Sequence, residues 1–426
     1  MVNLANISIW GEYVGAVLWD ERIQAASFEY DSGFVNKGWD LSPLMIPLQE
    51  RGIKSFPGLS KDTFMGLPGL LADTLPDAYG KAVLQRWLSA QGRSFANPVE
   101  RLCYQGKRSM GALEFEPAQD GYLETGSTLE IASLVEVAAE VLNQKKSLNT
   151  NLDDNTKEAI VNIIRVSTSA GGQRAKAVIA YNDRTGEVRS GQVDAPEGFG
   201  HWLLKLDGVT NKELGDPQHF GQIEYAYYLM ARHAGLDMME CRLLEENGRS
   251  HFMTRRFDRI NGSGKIHMQT LCGLAHYDYQ MKRAYSYEQA FEVMRRLRLP
   301  YTQAEELFRR MVFNVIARNQ DDHTKNISFL MNSDGIWKLS PAYDVSWAYN
   351  PKGEWTSHHQ MSINGKWDDI TRQDLNTIAD NMHIRRANDI IDEVCYAVSK
   401  WKTYAKELGI PSQSAKTIEK TLLYRI

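Results

Sequence analysis

From Arg318 to Ser346 the chain reads RNQDDHTKNISFLMNSDGIWKLSPAYDVS, and this stretch restricts the fold more than any other. The apolar runs ISFLM and IWKL flank NSDG, four turn-forming residues, so the segment is predicted to run out and back as a β-hairpin. A hairpin returns the chain to where it began, which brings Asp344 back beside Asn326 and Asp321. Oxygen donors gathered in this way suit a hard cation: magnesium keeps several waters and needs only one or two protein oxygens. Asn326 and Asp344 are the candidate ligands, with Asp344 supplying the full charge. His323 is open to two readings, a brace for the loop or a group that acts on protons. A zinc site built on Asp321, Asp322 and His323 is disfavoured, because no second His or Cys stands at ligand spacing.

The rest of the chain bounds what such a site can serve. At 426 residues it has room for two or three domains, and 43% hydrophobic with 24% charged residues is the composition of a folded globular protein. A formal net charge of −4 and a pI near 6.2 exclude the bulk positive field that drives strong non-specific nucleic-acid binding. The four cysteines are scattered and form no CxxC pair, as in reduced cytosolic proteins. No leader-like segment or long apolar run is seen, so a cytoplasmic location without membrane contact is expected.

Residues 1–142 read as a β-rich domain with helices, opening on the alternation ISIWGEYVGAVLW and carrying helical patterns at 77–92 and 129–142. The polar run 143–156 reads as a linker or exposed loop. Residues 157–286 form an α+β region: a helix at 157–164, strands at AKAVIAY and HWLLKL, a helix at 222–233, and a hairpin turning at Asn247-Gly248. Residues 287–426 are mostly helical around the hairpin described above. The fold class expected is therefore α+β.

Two features of the middle region bear on phosphate chemistry. The loop VSTSAGGQ places Gly171 and Gly172 before a strand, where backbone N–H groups can approach an anion closely. An ordinary hairpin turn is the competing reading. Lys205 lies between apolar neighbours in HWLLKL, where a lysine is costly without an anion, and Glu224 in the following helix is a candidate partner unless it is merely solvated. A strand lysine paired to a helix glutamate, and a D-x-x-x-x-N loop followed by a second aspartate, are the parts protein kinases use to hold ATP and magnesium.

With DDHTKNIS, SPAYDVS, SAGGQRAK and the opening ISIWGEYVGAVLWD in view, the chain resembles the HipA-type serine/threonine protein kinases, toxins of bacterial toxin–antitoxin pairs. The resemblance spans almost the whole chain and implies a β-rich N-terminal domain followed by a two-part kinase-like body. It implies that Asp321 is the catalytic base, that Asn326 and Asp344 hold magnesium, and that Lys205, Gly171, Gly172, His323 and Lys325 contact ATP. Adenine recognition falls near Arg255 to Phe257. Ser169 stands at the family's autophosphorylated position, with Ser167 and Thr168 as alternative acceptors. The resemblance further implies a protein substrate, among which an aminoacyl-tRNA synthetase is a fair choice, and a helix-turn-helix antitoxin through which DNA is contacted. Two departures stand out. Asp322 replaces a glycine and is expected to add negative charge beside the phosphates, and Arg255 replaces an acidic residue. Two other classes remain open: a catalytically silent corepressor acting through an antitoxin, and a small-molecule or lipid kinase on a related fold.

Overall fold

In a computed structural model the N-terminal alternation resolves into a meander: β1 (Leu4–Ile9), β2 (Glu12–Asp20) and β3 (Ala25–Tyr30). Trp10 and Gly11, both at positive φ, make the two-residue turn that matches strand twist. With β4 (Lys54–Ser55) and β5 (Leu113–Glu116) these strands form a sheet in the order β4-β3-β2-β1-β5. Ile7, Val17, Phe28 and Phe115 bury one face. At Gly15 a Cβ would run into the Glu29 carbonyl of the neighbouring strand, so the close pairing there requires glycine. The helix Pro98–Gln105 covers this region. Asn97 caps it by accepting the Glu100 N–H at 2.8 Å, while its amide donates to the Val2 carbonyl.

A second sheet, ordered β7-β6-β8-β10-β9, is built from β6 (Lys176–Asn182), β7 (Val188–Ser190), β8 (Phe199–Lys205), β9 (Cys241–Glu246) and β10 (Arg249–Arg255). Asn247 and Gly248, both at positive φ, close the β9–β10 hairpin as the sequence implies. Trp202, Leu204 and Ile179 pack with Val83 of the helix Ala78–Ala90.

The structure describes residues 2–90, 92–93, 95–118, 131, 134–135, 138, 175–191, 195–207, 219–260 and 264–426. The polar run 143–156, the helix expected at 157–164 and the loop with Ser167, Thr168, Ser169, Gly171 and Gly172 lie outside the described residues. So does most of the helix expected at 129–142. The fold is α+β and divides into two units: Met1–Gln218 with Arg242–Gln269 and Met331–Ile336, and His219–Cys241 with Thr270–Leu330 and Trp337–Ile426.

The second unit is mostly helical: α1 (Phe220–His233), α2 (Tyr287–Arg296), α3 (Tyr301–Ile316), α4 (Arg372–Met382), α5 (Ala387–Ser399), α6 (Trp401–Glu407) and α7 (Ser412–Glu419). Tyr227 of α1 stands at its centre, edge-on to Phe313 and Trp401, with its hydroxyl donating to the Ala317 carbonyl at 2.6 Å. That bond fixes the end of α3, from which the candidate site departs. A Ser286–Gln289 capping box starts α2 and sets Tyr287 in the interior. The four cysteines are free thiols, and among the described residues no helix is long and apolar enough to cross a membrane.

The first unit contains a buried ionic cluster. Asp258, fully buried, accepts from Arg256 Nε and Nη2 at 2.8 and 2.6 Å, from Arg259 Nη1 at 2.8 Å and from the Gly111 N–H at 2.8 Å. Arg259 also donates to the carbonyls of Ser109 and Gly111, so one carboxylate ties two segments well separated in sequence. Burial pushes the Asp258 carboxyl up, but the two guanidinium charges and these bonds outweigh it and hold the carboxyl well below its usual range. Asp258→Asn should cost about 3–5 kcal/mol, the penalty for breaking a buried pair from one side, read as a lower urea midpoint at neutral pH. The folded state binds this proton less tightly than the unfolded chain. Its contribution is therefore complete above the unfolded value of about 4 and drains away as the pH falls below it. An unchanged midpoint would remove the cluster from the fold's supports.

Candidate functional site

The site loop begins where α3 ends. Arg318, at φ 55°, turns the chain out of the helix, and two bonds fasten the next residues to a parallel segment: Gln320 N–H to the Ala348 carbonyl at 3.0 Å and Ala348 N–H to the Arg318 carbonyl at 3.1 Å. Asp321 and His323 then flank a buried Asp322, and Thr324–Asn326 closes a single 3-10 turn. Within that turn the Asn326 N–H donates to the His323 carbonyl at 2.8 Å, and the Asn326 side-chain Nδ2 donates to the Asp321 carbonyl at 2.8 Å. The amide nitrogen is used inside the loop, which leaves the carboxamide oxygen as the side chain's acceptor. The D-x-x-x-x-N spacing thus corresponds to one closed turn whose two ends are bonded to each other.

The expected hairpin is present as the strands Ser328–Met331 and Trp337–Leu339, with Asn332 accepting from Asp334 and Ile336 in the turn and Gly335 at φ 77°. Its return brings Tyr343 to the loop, where the phenol donates to the Lys325 carbonyl at 2.5 Å. Asn319, Asp322, Asn326, Ala342, Tyr343 and Val345 line one pocket. Asp344 follows at φ 55°, a left-handed conformation that aspartate tolerates better than most residues. Among the described residues no group of three His, Cys, Asp or Glu side chains gathers as a metal site. The oxygens at hand are the Asp344 carboxylate and the Asn326 carboxamide, a donor set that fits magnesium.

The Asp321 side chain is half exposed, at 51%, with His323 Nε2 3.8 Å from its Oδ1. His323 lies 5.2 Å from the Tyr279 ring, and the Lys325 ammonium sits 4.9 Å over the same ring. The neighbouring Asp322 behaves in the opposite way. It is turned into the interior, because three donors receive it there. The Tyr287 hydroxyl and His359 Nδ1–H donate to Oδ2, each at 2.8 Å, and the Gln360 N–H donates to Oδ1 at 2.8 Å. Burial and then the charge of Asp322 push the Tyr287 phenol well above its usual pKa, so it remains a donor. Asn314 and Asn319 continue this network from α3. Sequence reading singled out Asp322 as a departure but not its partners, since Tyr287 and His359 are more than thirty residues away on either side.

Of the remaining candidates, Lys205 ends β8 at 9% exposure, its ammonium 5.6 Å from the Phe252 ring centroid. Directly opposite on β6 stands a second buried lysine that sequence reading missed. This Lys176 is the Cα partner of Lys205 and pairs with Asp77 at 3.0 Å. Glu224 in α1 is buried, not a solvated helix residue. Arg255 is exposed at the end of β10 and Phe257 is half-buried beyond it. The arginine built into the structure there is its neighbour Arg256, whose N–H donates to the His201 carbonyl at 2.9 Å. The pattern TRRFDRI carried a signal for this, an acid between arginines. Lys205, Arg255 and Phe257 belong to the first unit, and Glu224, Asp321, His323, Lys325, Asn326 and Asp344 to the second.

Comparison with known proteins bears on what this arrangement serves. A model of the HipA-like C-terminal domain matches residues 168–402, and one of the HipA N-terminal domain matches residues 5–116. A putative kinase of Sinorhizobium fredii, Y4dM, is 26% identical over 282 residues, which are 62% of this chain and 65% of the relative. A second from the same organism, Y4mE, is 29% identical over 125 residues, 27% of this chain and 30% of the relative. The chain thus spans less than two thirds of the length of these curated relatives. The structure of Shewanella oneidensis HipA, solved with HipB and operator DNA, superposes with a TM-score of 0.71 at 17% identity, covering 99% of this chain and 96% of that one. At that identity the likeness is one of fold.

The Asp322 network makes a prediction independent of any activity. Asp322→Asn sets an amide NH2 against a cluster of donors and should cost about 3 kcal/mol or more. Tyr287→Phe removes one bond to a charged acceptor and should cost about 1.5–3 kcal/mol. Urea denaturation of the two variants checks the order, and an Asp322→Asn chain as stable as the parent would show that the network does not hold the loop.

Proposed function

The chain belongs to the HipA family, and on that premise we propose that it is a protein kinase that moves the γ-phosphoryl group of ATP to a serine or threonine hydroxyl with magnesium. The observation that carries this reading is the convergence in one unit of a half-exposed carboxylate, Asp321, with the closed turn of Asn326 and the returning segment that ends in Asp344. The relatives named putative kinases agree with it. In this reading Asp321 receives and orients the acceptor hydroxyl, and its half exposure leaves it open to a macromolecular substrate. Asn326 and Asp344 would hold magnesium, which would supply positive charge against the negative charge of the phosphates. Lys205 would contact the phosphates, Glu224 would serve as its ion-pair partner, and His323 and Lys325 would line the nucleotide. Gly171 and Gly172 would cover the phosphates, and the backbone around Arg255 and Phe257 would receive the adenine.

The expected partners are a protein substrate, such as an aminoacyl-tRNA synthetase, and a helix-turn-helix antitoxin that carries the complex to DNA. The likeness in fold to a HipA solved with HipB and operator DNA supports the second of these. Ser169 is the proposed autophosphorylation site, with Ser167 and Thr168 as alternatives. A phosphate there adds up to about two negative charges beside the nucleotide and would expel the loop, switching the enzyme off.

Two substitutions separate the roles. Asp321→Ala should lower phosphoryl transfer by about 10²–10⁴-fold while ATP still binds. Asp344→Ala should weaken magnesium-dependent ATP binding by about tenfold or more, since it removes the charged ligand. Radiolabelled transfer and calorimetric titration check the pair, and normal turnover in Asp321→Ala would move the base elsewhere.

The modification has its own test. Intact-mass spectrometry should find a phosphate on the parent chain and none on Asp321→Ala, with the modified residue mapping to Ser169. Phosphorylated protein should bind ATP more weakly than unmodified protein. Equal affinity would refute the switch.

A further inference from the structure

Two loops of the second unit are bonded to the site loop that carries Asp321, at Thr324 and at Asp322, and hold large side chains that the chemistry above does not use. One is 277–285. The Tyr277 carbonyl accepts from Thr324 Oγ1 of the site loop at 2.7 Å, the Tyr277 ring stacks on Tyr285 at 4.7 Å, and the Asp278 N–H donates to the Tyr285 hydroxyl at 2.9 Å. The other is 354–361, anchored by the bonds of His359 and Gln360 to Asp322 and by Gln360 Nε2 to the Trp355 carbonyl. The loops are joined to each other, since Tyr285 pairs in parallel register with Met361. This is a braced frame fastened to the site loop, not a pair of free loops.

The outward side of the frame is both apolar and cationic. Met281 is 56% exposed and Trp355 37%, unusual for side chains of that size in a well-packed unit. The Lys282 ammonium lies 4.6 Å over the Trp355 ring and pairs with Glu354 in an exposed ion pair, a kind worth little to stability. Arg283 is exposed beside it. The positive field reaches His358, whose pKa is lowered first by burial and then by the charge of Arg283, with a smaller part from Lys282. Lys325 adds a third cation on the His323 side. Against these stand Glu354, Asp321 itself and Asp368, whose charge raises the His358 pKa and opposes the cations there. In a chain of net charge −4 this is a local feature, not a bulk property.

We infer that the frame of Met281, Lys282, Arg283 and Trp355 is the docking surface for the segment of the protein substrate that bears the acceptor hydroxyl, and that it selects segments with acidic residues beside that hydroxyl. The inference rests on the kinase reading for its substrate class. Charge complementarity sets the occupant: Lys282 and Arg283 meet carboxylates, while Met281 and Trp355 give an apolar platform against which an extended segment lies. An extended segment lying along the frame would carry its carboxylates at positions flanking the acceptor hydroxyl. Electrostatic complementarity chiefly sets specificity and on-rate, and a frame already braced by the Tyr285–Met361 pairing loses little freedom on binding.

The test uses the full-length chain with two fluorescent serine-centred peptide libraries, one with glutamate and one with lysine fixed at the flanking positions. Binding is read by anisotropy, and transfer by labelled ATP with magnesium. The parent chain should bind and phosphorylate the acidic library preferentially. Lys282→Glu combined with Arg283→Glu should lower kcat/KM on acidic peptides by about tenfold or more through KM, with ATP affinity unchanged, and should improve use of the basic library. Met281→Ala with Trp355→Ala should weaken both libraries alike. Transfer by the parent chain without preference between the libraries, or a preference that survives the charge reversal, overturns the docking surface and leaves the kinase reading standing. Charge-dependent binding with no transfer upholds the surface and overturns the kinase reading. Neither binding nor transfer overturns both.

Discussion

The carboxylate of Asp322 is the point on which the site's geometry depends. A buried carboxylate without donors would be too costly to keep, so its presence obliges two other pieces of chain to meet the site loop: Tyr287 from α2, and His359 and Gln360 from the segment after the hairpin. Asp321, next in sequence, is held by the same backbone while its own side chain stays half exposed. Adjacent residues thus divide the labour. One carboxylate is spent on position, and the other is left with the freedom to meet solvent and substrate. On the proposed kinase reading, in which Asp321 orients the acceptor hydroxyl, this bracing supplies the precision that such a role requires.

Much of this was legible in the sequence, and the reasons are local. The hairpin between Asn326 and Asp344 announces itself through NSDG between apolar runs, and the β9–β10 hairpin through Asn247-Gly248. In both cases a few residues determine the backbone. The strand carrying Lys205 and the helix carrying Glu224 follow from periodicity in the same way. What the sequence could not supply was partnership over distance. Lys176 reads as one more residue near the start of a strand, until β6 is laid against β8 and it comes opposite Lys205. Its partner Asp77 lies almost a hundred positions upstream, with no pattern to link them.

The same limit explains the reading of Asp322. Seen along the chain it is a second acid beside a first, and the natural expectation is added negative charge at the site. Only the tertiary fold brings a tyrosine and a histidine to it, and the charge is then accommodated inside. Arg255 and Arg256 repeat the point in the first unit. Two consecutive arginines are indistinguishable by composition, yet Arg255 ends β10 exposed while Arg256, just past the strand, is buried against Asp258.

Buried charge is used in both units to fix loops that no regular structure could hold. Asp258 binds the segment at 109–111 to the one at 256–259, and Asp322 binds the site loop to α2 and to the segment at 359–360. Burying an ion pair is weak support for stability, because desolvation consumes most of the attraction. What such a pair does well is specify a single arrangement, since every alternative leaves a charge unmatched in the interior. A site that presents one half-exposed carboxylate beside a closed turn gains more from that specificity than from additional hydrophobic burial, which would tolerate shifts of register. The cost in stability at Asp322 is then the counterpart of order at Asp321.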